Sequence, residues 1–156
     1  MNYYLNIGSN MGDRRDNLYR AVVALVAGTG GCAVSSVVES EPWGFESENR
    51  FMNLGVMLES DMAPQDMLDR IHDIEHRLGS TSHRDGQGNY IDRLVDIDIV
   101  AIDDLVIDTP TLQVPHPHLP DRDFFLKPMI QLAPDWRHPV TGLTPSQMLE
   151  KLPIKP

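Results

Sequence analysis

An α+β fold built on one antiparallel sheet is predicted by three observations. Apolar, β-branched runs alternate with segments whose apolar residues recur at helical spacing. The order is strand, helix, strand, strand, helix, strand. Glycine, proline and Asx residues punctuate the junctions.

Each element follows from its residues. Tyr3 to Ile7 reads as a short strand that ends at the turn signal Gly8-Ser9-Asn10. Asp13 suits a helix N-cap, and Asp16 in the first turn favours the helix dipole. Leu18, Val22, Leu25 and Val26 continue at helical spacing until Gly28, Gly30 and Gly31. Ala33 to Glu39 and Phe51 to Glu59 read as strands, the second with Met52, Leu54, Val56 and Leu58 toward the core. Pro64 suits the first turn of a second helix whose buried stripe is Met67, Ile71, Ile74 and Leu78. The strand around Asp96 and Asp98 follows, and Asp103-Asp104 is expected to turn it into Leu105-Val106-Ile107 as a hairpin. A short helical tail covers Phe125 to Leu132. This βαββαβ order, extended by a C-terminal hairpin and short helices, is the ferredoxin-like pattern, with helices on one face of the sheet and the other face free. No internal repeat, low-complexity tract or linker interrupts it.

Composition narrows the function classes. A length of 156 residues predicts one domain spanning 1–156. Hydrophobic content of 41% with 23% charged residues is that of a soluble globular chain. No apolar run is long enough for a membrane span, and the N-terminus has no signal-peptide pattern. Cys32 stands alone, which excludes an internal disulfide and a Cys-rich zinc site, and reads as a small core residue. The expected setting is the cytoplasm. A net charge of −10 opposes a nucleic-acid surface, which needs a broad basic patch. Basic residues nevertheless gather locally: Arg70, His72, His76, Arg77, His83, Arg84 and Arg93, then His116, His118 and Arg122. Clusters of this kind in an acidic chain suit a small anionic ligand such as phosphate.

The segment richest in chemistry is Arg93-Leu94-Val95-Asp96-Ile97-Asp98-Ile99-Val100. On a strand, Asp96 and Asp98 share one face, with carboxylates ~6.6 Å apart. At an effective dielectric of ~20 they repel by ~2.5 kcal/mol. The spacing fits either a solvated strand face or a site for a cation such as Mg²⁺, which accepts carboxylate, water and phosphate oxygens together. Phe51 and Asn53 point away from the apolar set of their strand. They fit either an edge-packed pair or a platform that stacks and hydrogen-bonds a flat heterocycle. His72 and Glu75, three apart on the second helix, share a face that is either plain solvated surface or part of a site. A zinc role for His116-Pro117-His118 lacks a third ligand nearby.

With these residues in view, the chain resembles the 6-hydroxymethyl-7,8-dihydropterin pyrophosphokinase family over nearly its whole length. The resemblance rests on Asn6-Ile7-Gly8-Ser9-Asn10-Met11-Gly12-Asp13-Arg14, Glu41-Pro42-Trp43-Gly44, Phe51-Met52-Asn53 and Arg93-x-x-Asp96-Ile97-Asp98-Ile99. Val114-Pro115-His116-Pro117 and Arg122-x-Phe124 complete it. It implies a transferase that passes pyrophosphate from ATP to a pterin alcohol and releases AMP. Asp96 and Asp98 match the pair that holds two Mg²⁺ ions on the phosphates. Phe51 and Phe124 match the aromatics that sandwich the pterin, Asn53 the residue that bonds its amide edge, and Pro42, Trp43 and Gly44 the loop beside it. His72 and Glu75 fall near the nucleotide. Arg84, Arg93, His116 and Arg122 fall at or near triphosphate contacts, with Arg84 and Arg93 in the catalytic set. Tyr90 lies in a segment, Gly79 to Asp92, that reads as a lid.

The chain departs from the pattern at Ser80, where many relatives carry arginine, and at Asn89-Tyr90-Ile91-Asp92 ahead of Arg93. His83 or Arg84 is expected to substitute. Two rival readings stand beside the resemblance. One is another Mg²⁺-dependent nucleotidyl or phosphoryl transferase. The other is a non-catalytic ligand-binding module on a ferredoxin-like sheet.

Overall fold

The strand β1 (Asn2–Ser9) runs through the centre of the molecule and is buried on both faces. It pairs antiparallel with β4 (Phe51–Glu59) on one side and β5 (Asp96–Ile102) on the other. The computed structural model describes residues 1–41, 50–79 and 94–153. Two short strands, β2 (Gly31–Val34) and β3 (Val38–Ser40), both pair antiparallel with β4, so the sheet order is β2-β4-β1-β5 with β3 following β2 along the same edge of β4. Among the described residues no helix is long and apolar enough to cross a membrane.

Alternation on the sheet sorts side chains into two cores. Tyr3, Leu5 and Ile7 of β1 join Leu54, Val56, Leu58, Ile97 and Ile99 on one face. There they meet Leu18, Ala21 and Leu25 of α1 (Arg14–Val26) and Met67, Ile71 and Ile74 of α2 (Pro64–Arg77), the predicted helical stripes. Asp13 caps α1 by accepting the Asp16 backbone N–H at 3.1 Å. On the opposite face Tyr4, Val100 and Ala101 meet Phe125, Leu126 and Met129 of α3 (Asp123–Leu132) and Met148 of α4 (Pro145–Glu150). The expectation of one free sheet face is therefore corrected: α3 and α4 cover part of it. Gly55 permits this, because a Cβ there would lie 2.4 Å from the Cβ of Pro128.

Several boundaries differ from the sequence reading for identifiable reasons. β1 continues through Gly8 to Ser9 instead of turning there, since Gly8 and Ser9 pair with Asn53 and Met52. The strand expected over Ala33 to Glu39 is broken, and the Ser35 hydroxyl accepts the Gly55 N–H at 2.8 Å at the break. In β5, Tyr4 faces Ala101 and Leu5 faces Ile99, so Val100 is an inserted bulge residue. The bulge leaves Asp96 and Asp98 on the α3 face while Ile102 returns to the first core. The expected β5 hairpin is also corrected. After the turn at Asp103, which has φ +43°, β6 (Ile107–Asp108) pairs with β7 (Gln113–Val114) in a separate small sheet. Cys32 is exposed rather than in the core, because β2 lies at the sheet edge.

Arg70 also has a different task from the one its neighbours in sequence implied. Its guanidinium donates to the carbonyls of Leu25, Ala24 and Ala27 at 2.9–3.0 Å. α1 ends with no basic residue in its last turn, so Arg70 serves its unpaired carbonyls and dipole from the neighbouring helix. Arg70→Met, which keeps the aliphatic stem, should lower stability by about 1.5–3 kcal/mol in urea unfolding and leave turnover intact. An unchanged unfolding midpoint would contradict this assignment.

Candidate active site

The α3 face of the sheet carries the polar residues that the strands do not bury in a core. Across three strands, Asp96 lies opposite Gly8, which lies opposite Asn53. One step along, Asp98 lies opposite Asn6, which lies opposite Gly55. The acid pair and the Phe51–Asn53 pair thus share one face, separated by β1 alone.

Gly8 is the gap between them. A Cβ there would lie 3.1 Å from Asn53 Oδ1 and 3.2 Å from Phe51 Cδ1, so any larger residue presses on both. Asn6, buried in an otherwise apolar strand, donates from Nδ2 to the Phe124 carbonyl at 2.8 Å and ties the start of α3 to the sheet. Phe124 is thereby held over the same face as Phe51. Asn53 is buried at 2% exposure rather than displayed beside Phe51, as its spacing had implied.

Arg122, at the start of α3, places its guanidinium carbon 4.9 Å from the Phe125 ring centroid and 5.6 Å from that of Phe124. Burial pulls its pKa below the ordinary arginine value, while Asp98, Asp96 and Asp121 act in the opposite direction. His116 is fixed by the bulge, since its N–H donates to the Val100 carbonyl at 2.8 Å. Its Nδ1 accepts the His118 N–H at 3.1 Å, so the neutral ring keeps its proton on Nε2. Burial, then Arg122, then His118 push the His116 pKa down to about 4. His118 itself turns to Asp121, 3.4 Å away.

On the outer side of β5 a cleft of about 690 Å³ opens. Asp96, Asp98 and His116 line it, together with His72 and Glu75 of α2 and the 108–113 hairpin. His72 is exposed on the cleft wall. Glu75 is buried at 3%, and its carboxylate accepts the Ile97 N–H at 2.8 Å, pinning β5 between the two aspartates. The structure therefore joins Asp96, Asp98, His72, Glu75, His116, Arg122, Phe51, Asn53 and Phe124 around one strand face and its edge. Pro42, Trp43, Gly44, Arg84, Tyr90 and Arg93, with Ser80 and the expected lid, lie outside the described residues, although Gly79 and Leu94 on either side of that segment touch.

Sequence reasoning passed over Gly8, Asn6 and the hairpin wall. Asn6 had a signal, a lone amide within an apolar strand. The hairpin had none, because its side chains reach the cleft only through tertiary packing. Among the described residues no cluster of three His, Cys, Asp or Glu side chains forms a ready metal centre. A cation at Asp96 and Asp98 would complete its shell with waters or substrate oxygens, the manner in which Mg²⁺ binds beside phosphates.

A cleft lined by an acid pair, with Phe51, Asn53 and Phe124 gathered on the adjoining strand face, suits a group-transfer enzyme working between a charged and a flat substrate. Residues 4–134 match the model of the 7,8-dihydro-6-hydroxymethylpterin-pyrophosphokinase (HPPK) family. The chain is 42% identical over 138 residues to the 2-amino-4-hydroxy-6-hydroxymethyldihydropteridine pyrophosphokinase of Porphyromonas gingivalis, covering 87% of this chain and 92% of the relative. It is 36% identical over 137 residues to the enzyme of the same name from Aquifex aeolicus, covering 88% and 83%. The solved wild-type HPPK-DHPS of Plasmodium falciparum shares the fold, with a TM-score of 0.70 at 14% identity over 96% of this chain. The present chain spans 44% of that longer one. The chain belongs to the HPPK family and is a pyrophosphokinase of folate biosynthesis.

The His116 environment has a pH consequence in the metal-free protein. Its folded pKa is depressed from 6.5 to about 4. Between those values the unfolded chain binds a proton that the folded chain refuses, so this contribution to stability is full above pH ~6.5 and lost as pH falls toward ~4. The stability of wild type relative to His116→Asn should therefore decline over that window in denaturant titrations. A pH-independent difference would contradict the assignment.

Proposed function

We propose that the chain transfers the pyrophosphoryl group of ATP to 6-hydroxymethyl-7,8-dihydropterin, with Mg²⁺ held at Asp96 and Asp98. The observation that carries this reading is that the acid pair and the Phe51–Asn53 pocket flank the same strand. β5 and β4 are two strand spacings apart, about 10 Å. A pterin in the pocket can then extend its hydroxymethyl group toward phosphates at the acid pair. The strand order β2-β4-β1-β5 supports a ferredoxin-like reading of the sheet. The single unpaired cysteine is compatible with a cytoplasmic setting.

Phe51 borders Gly8, and the Phe124 backbone is tied to Asn6, so both phenylalanines belong to the face of β1 where a flat ring would sit. The pterin oxygen attacks the β-phosphorus as the bond to the α,β-bridging oxygen breaks and AMP departs. Such a step depends on positioning and charge stabilisation more than on a side-chain nucleophile. Asp96 and Asp98 would hold Mg²⁺, which would supply positive charge against the phosphate oxygens. Arg122 adds positive charge beside the pair, and neutral His116 offers its Nε2–H. Arg84 and Arg93 are proposed as further phosphate contacts, and Pro42, Trp43, Gly44 and Tyr90 as closing residues. Leu68, Ile99 and Leu112, with Thr109 and Gln113, give the outer cleft the apolar and polar lining that an adenosine requires.

Purified protein with ATP, Mg²⁺ and the pterin should form AMP in step with pterin consumption. ADP or free pyrophosphate as the product would assign another phosphate chemistry, and binding without turnover would favour a non-catalytic module. Asp96→Ala and Asp98→Ala should each reduce turnover at least roughly 100-fold, by removal of cation support, with an unchanged circular dichroism spectrum. Near-normal turnover by either variant would remove the metal assignment.

A further inference from the structure

We propose that Asn6 is a positioning residue for the pterin: it supplies the hydrogen bond that Pro128 denies the Phe124 carbonyl, and so fixes the first turn of α3 over the strand face. This rests on the reading of Phe124 as one wall of the ring site. In an α-helix the carbonyl of residue 124 accepts from the N–H of residue 128. Here residue 128 is a proline inside α3, with no N–H to give. Asn6 Nδ2 donates to the Phe124 carbonyl at 2.8 Å, from 118 positions away in the chain. A carbonyl oxygen can only accept, so the amide must present its nitrogen to it. Asn6 is buried at 3% exposure between Leu5 and Ile7, where an amide is costly unless it is bonded.

The same proline lets the helix come close. Pro128 is buried, and a Cβ at Gly55 would lie 2.4 Å from its Cβ. Gly55 is the residue of β4 that lies opposite Asn6. The proline that seats α3 on Gly55 thus deprives a carbonyl of its helical donor, and the cross-strand neighbour of that glycine replaces it. Phe124 and Phe125 lie on this first turn with ring centroids 5.1 Å apart, and the Arg122 guanidinium rests against both rings. Without the Asn6 donor the Phe124 carbonyl gains a partner only by tilting toward water, which bends a helix at that point. Phe124 then moves with its own peptide, and the ring site loses the fixed position of one wall.

Equilibrium binding of 6-hydroxymethyl-7,8-dihydropterin, with Mg²⁺ and α,β-methylene-ATP present, would be measured beside urea unfolding for wild type, Asn6→Ala, Pro128→Ala and the double variant. Asn6→Ala should weaken pterin binding roughly ten-fold. In the Pro128→Ala background residue 128 again offers an N–H, so the same substitution should weaken it roughly two-fold or less. Equal weakening in both backgrounds would overturn the proposal. A lowered unfolding midpoint with unchanged pterin affinity would also overturn it, since that marks a merely structural bond. Should Asn6→Ala fail to fold, Asn6→Ser, whose hydroxyl stops one bond short of the carbonyl, must show the same dependence on residue 128. Failure of wild type to bind the pterin would instead overturn the functional reading, and this inference with it.

Discussion

The architecture depends on the two-sidedness of β1. Side chains alternate across a strand, so Tyr3, Leu5 and Ile7 go to one core while Tyr4, Asn6 and Gly8 go to the other face. That second face begins apolar at Tyr4, where α3 covers it, and becomes polar or bare at Asn6 and Gly8. A one-residue slip of β1 would turn Asn6 into the main core and remove Tyr3, Leu5 and Ile7 from it. Folding and site are thus secured by the same alternation. The glycine at position 8 contributes an absence of side chain on the strand that separates the acids from the aromatic pocket.

Electrostatics on that face are arranged locally and against the protein's average. A chain with a net charge of −10 repels polyphosphate at long range. Close to the acid pair, however, Arg122 is stacked on two phenylalanine rings and drawn toward Asp98 and Asp96. His116, a few residues earlier, stays neutral because burial and Arg122 oppose a further positive charge. Glu75 holds the backbone between the two aspartates, so strand position and carboxylate position are linked. The bulge at Val100 adds a second link, because the carbonyl it frees anchors His116 beside the cleft.

Elements with strong periodicity were legible from residues alone. The strand Phe51–Glu59 and the helix beginning at Pro64 have the predicted extents, since their stripes are long and their boundary residues specific. Gly8 misled as a turn signal because its role is to leave room on a central strand rather than to bend it. Cys32 and the 107–114 hairpin misled because edge position and tertiary pairing leave no periodic trace in short segments. Within the site, Asp96, Asp98 and Phe51 stood out by residue type and pattern, and Phe124 only through the family resemblance. The bond from Asn6 to the Phe124 carbonyl did not, because its partner lies far away in sequence. Arg70 shows the converse: it lies near the other cations in sequence, yet its bonds go to the end of α1.

The central claim, that one strand face carries both substrates with cations at the acid pair, is tested most directly by crystallography. The protein would be crystallised with Mn²⁺, α,β-methylene-ATP and the pterin, and the anomalous signal of manganese recorded. The account predicts anomalous peaks against the carboxylates of Asp96 and Asp98, with the pterin ring between Phe51 and Phe124. Manganese held by other residues, or a ring lodged elsewhere while both ligands are bound, would contradict it.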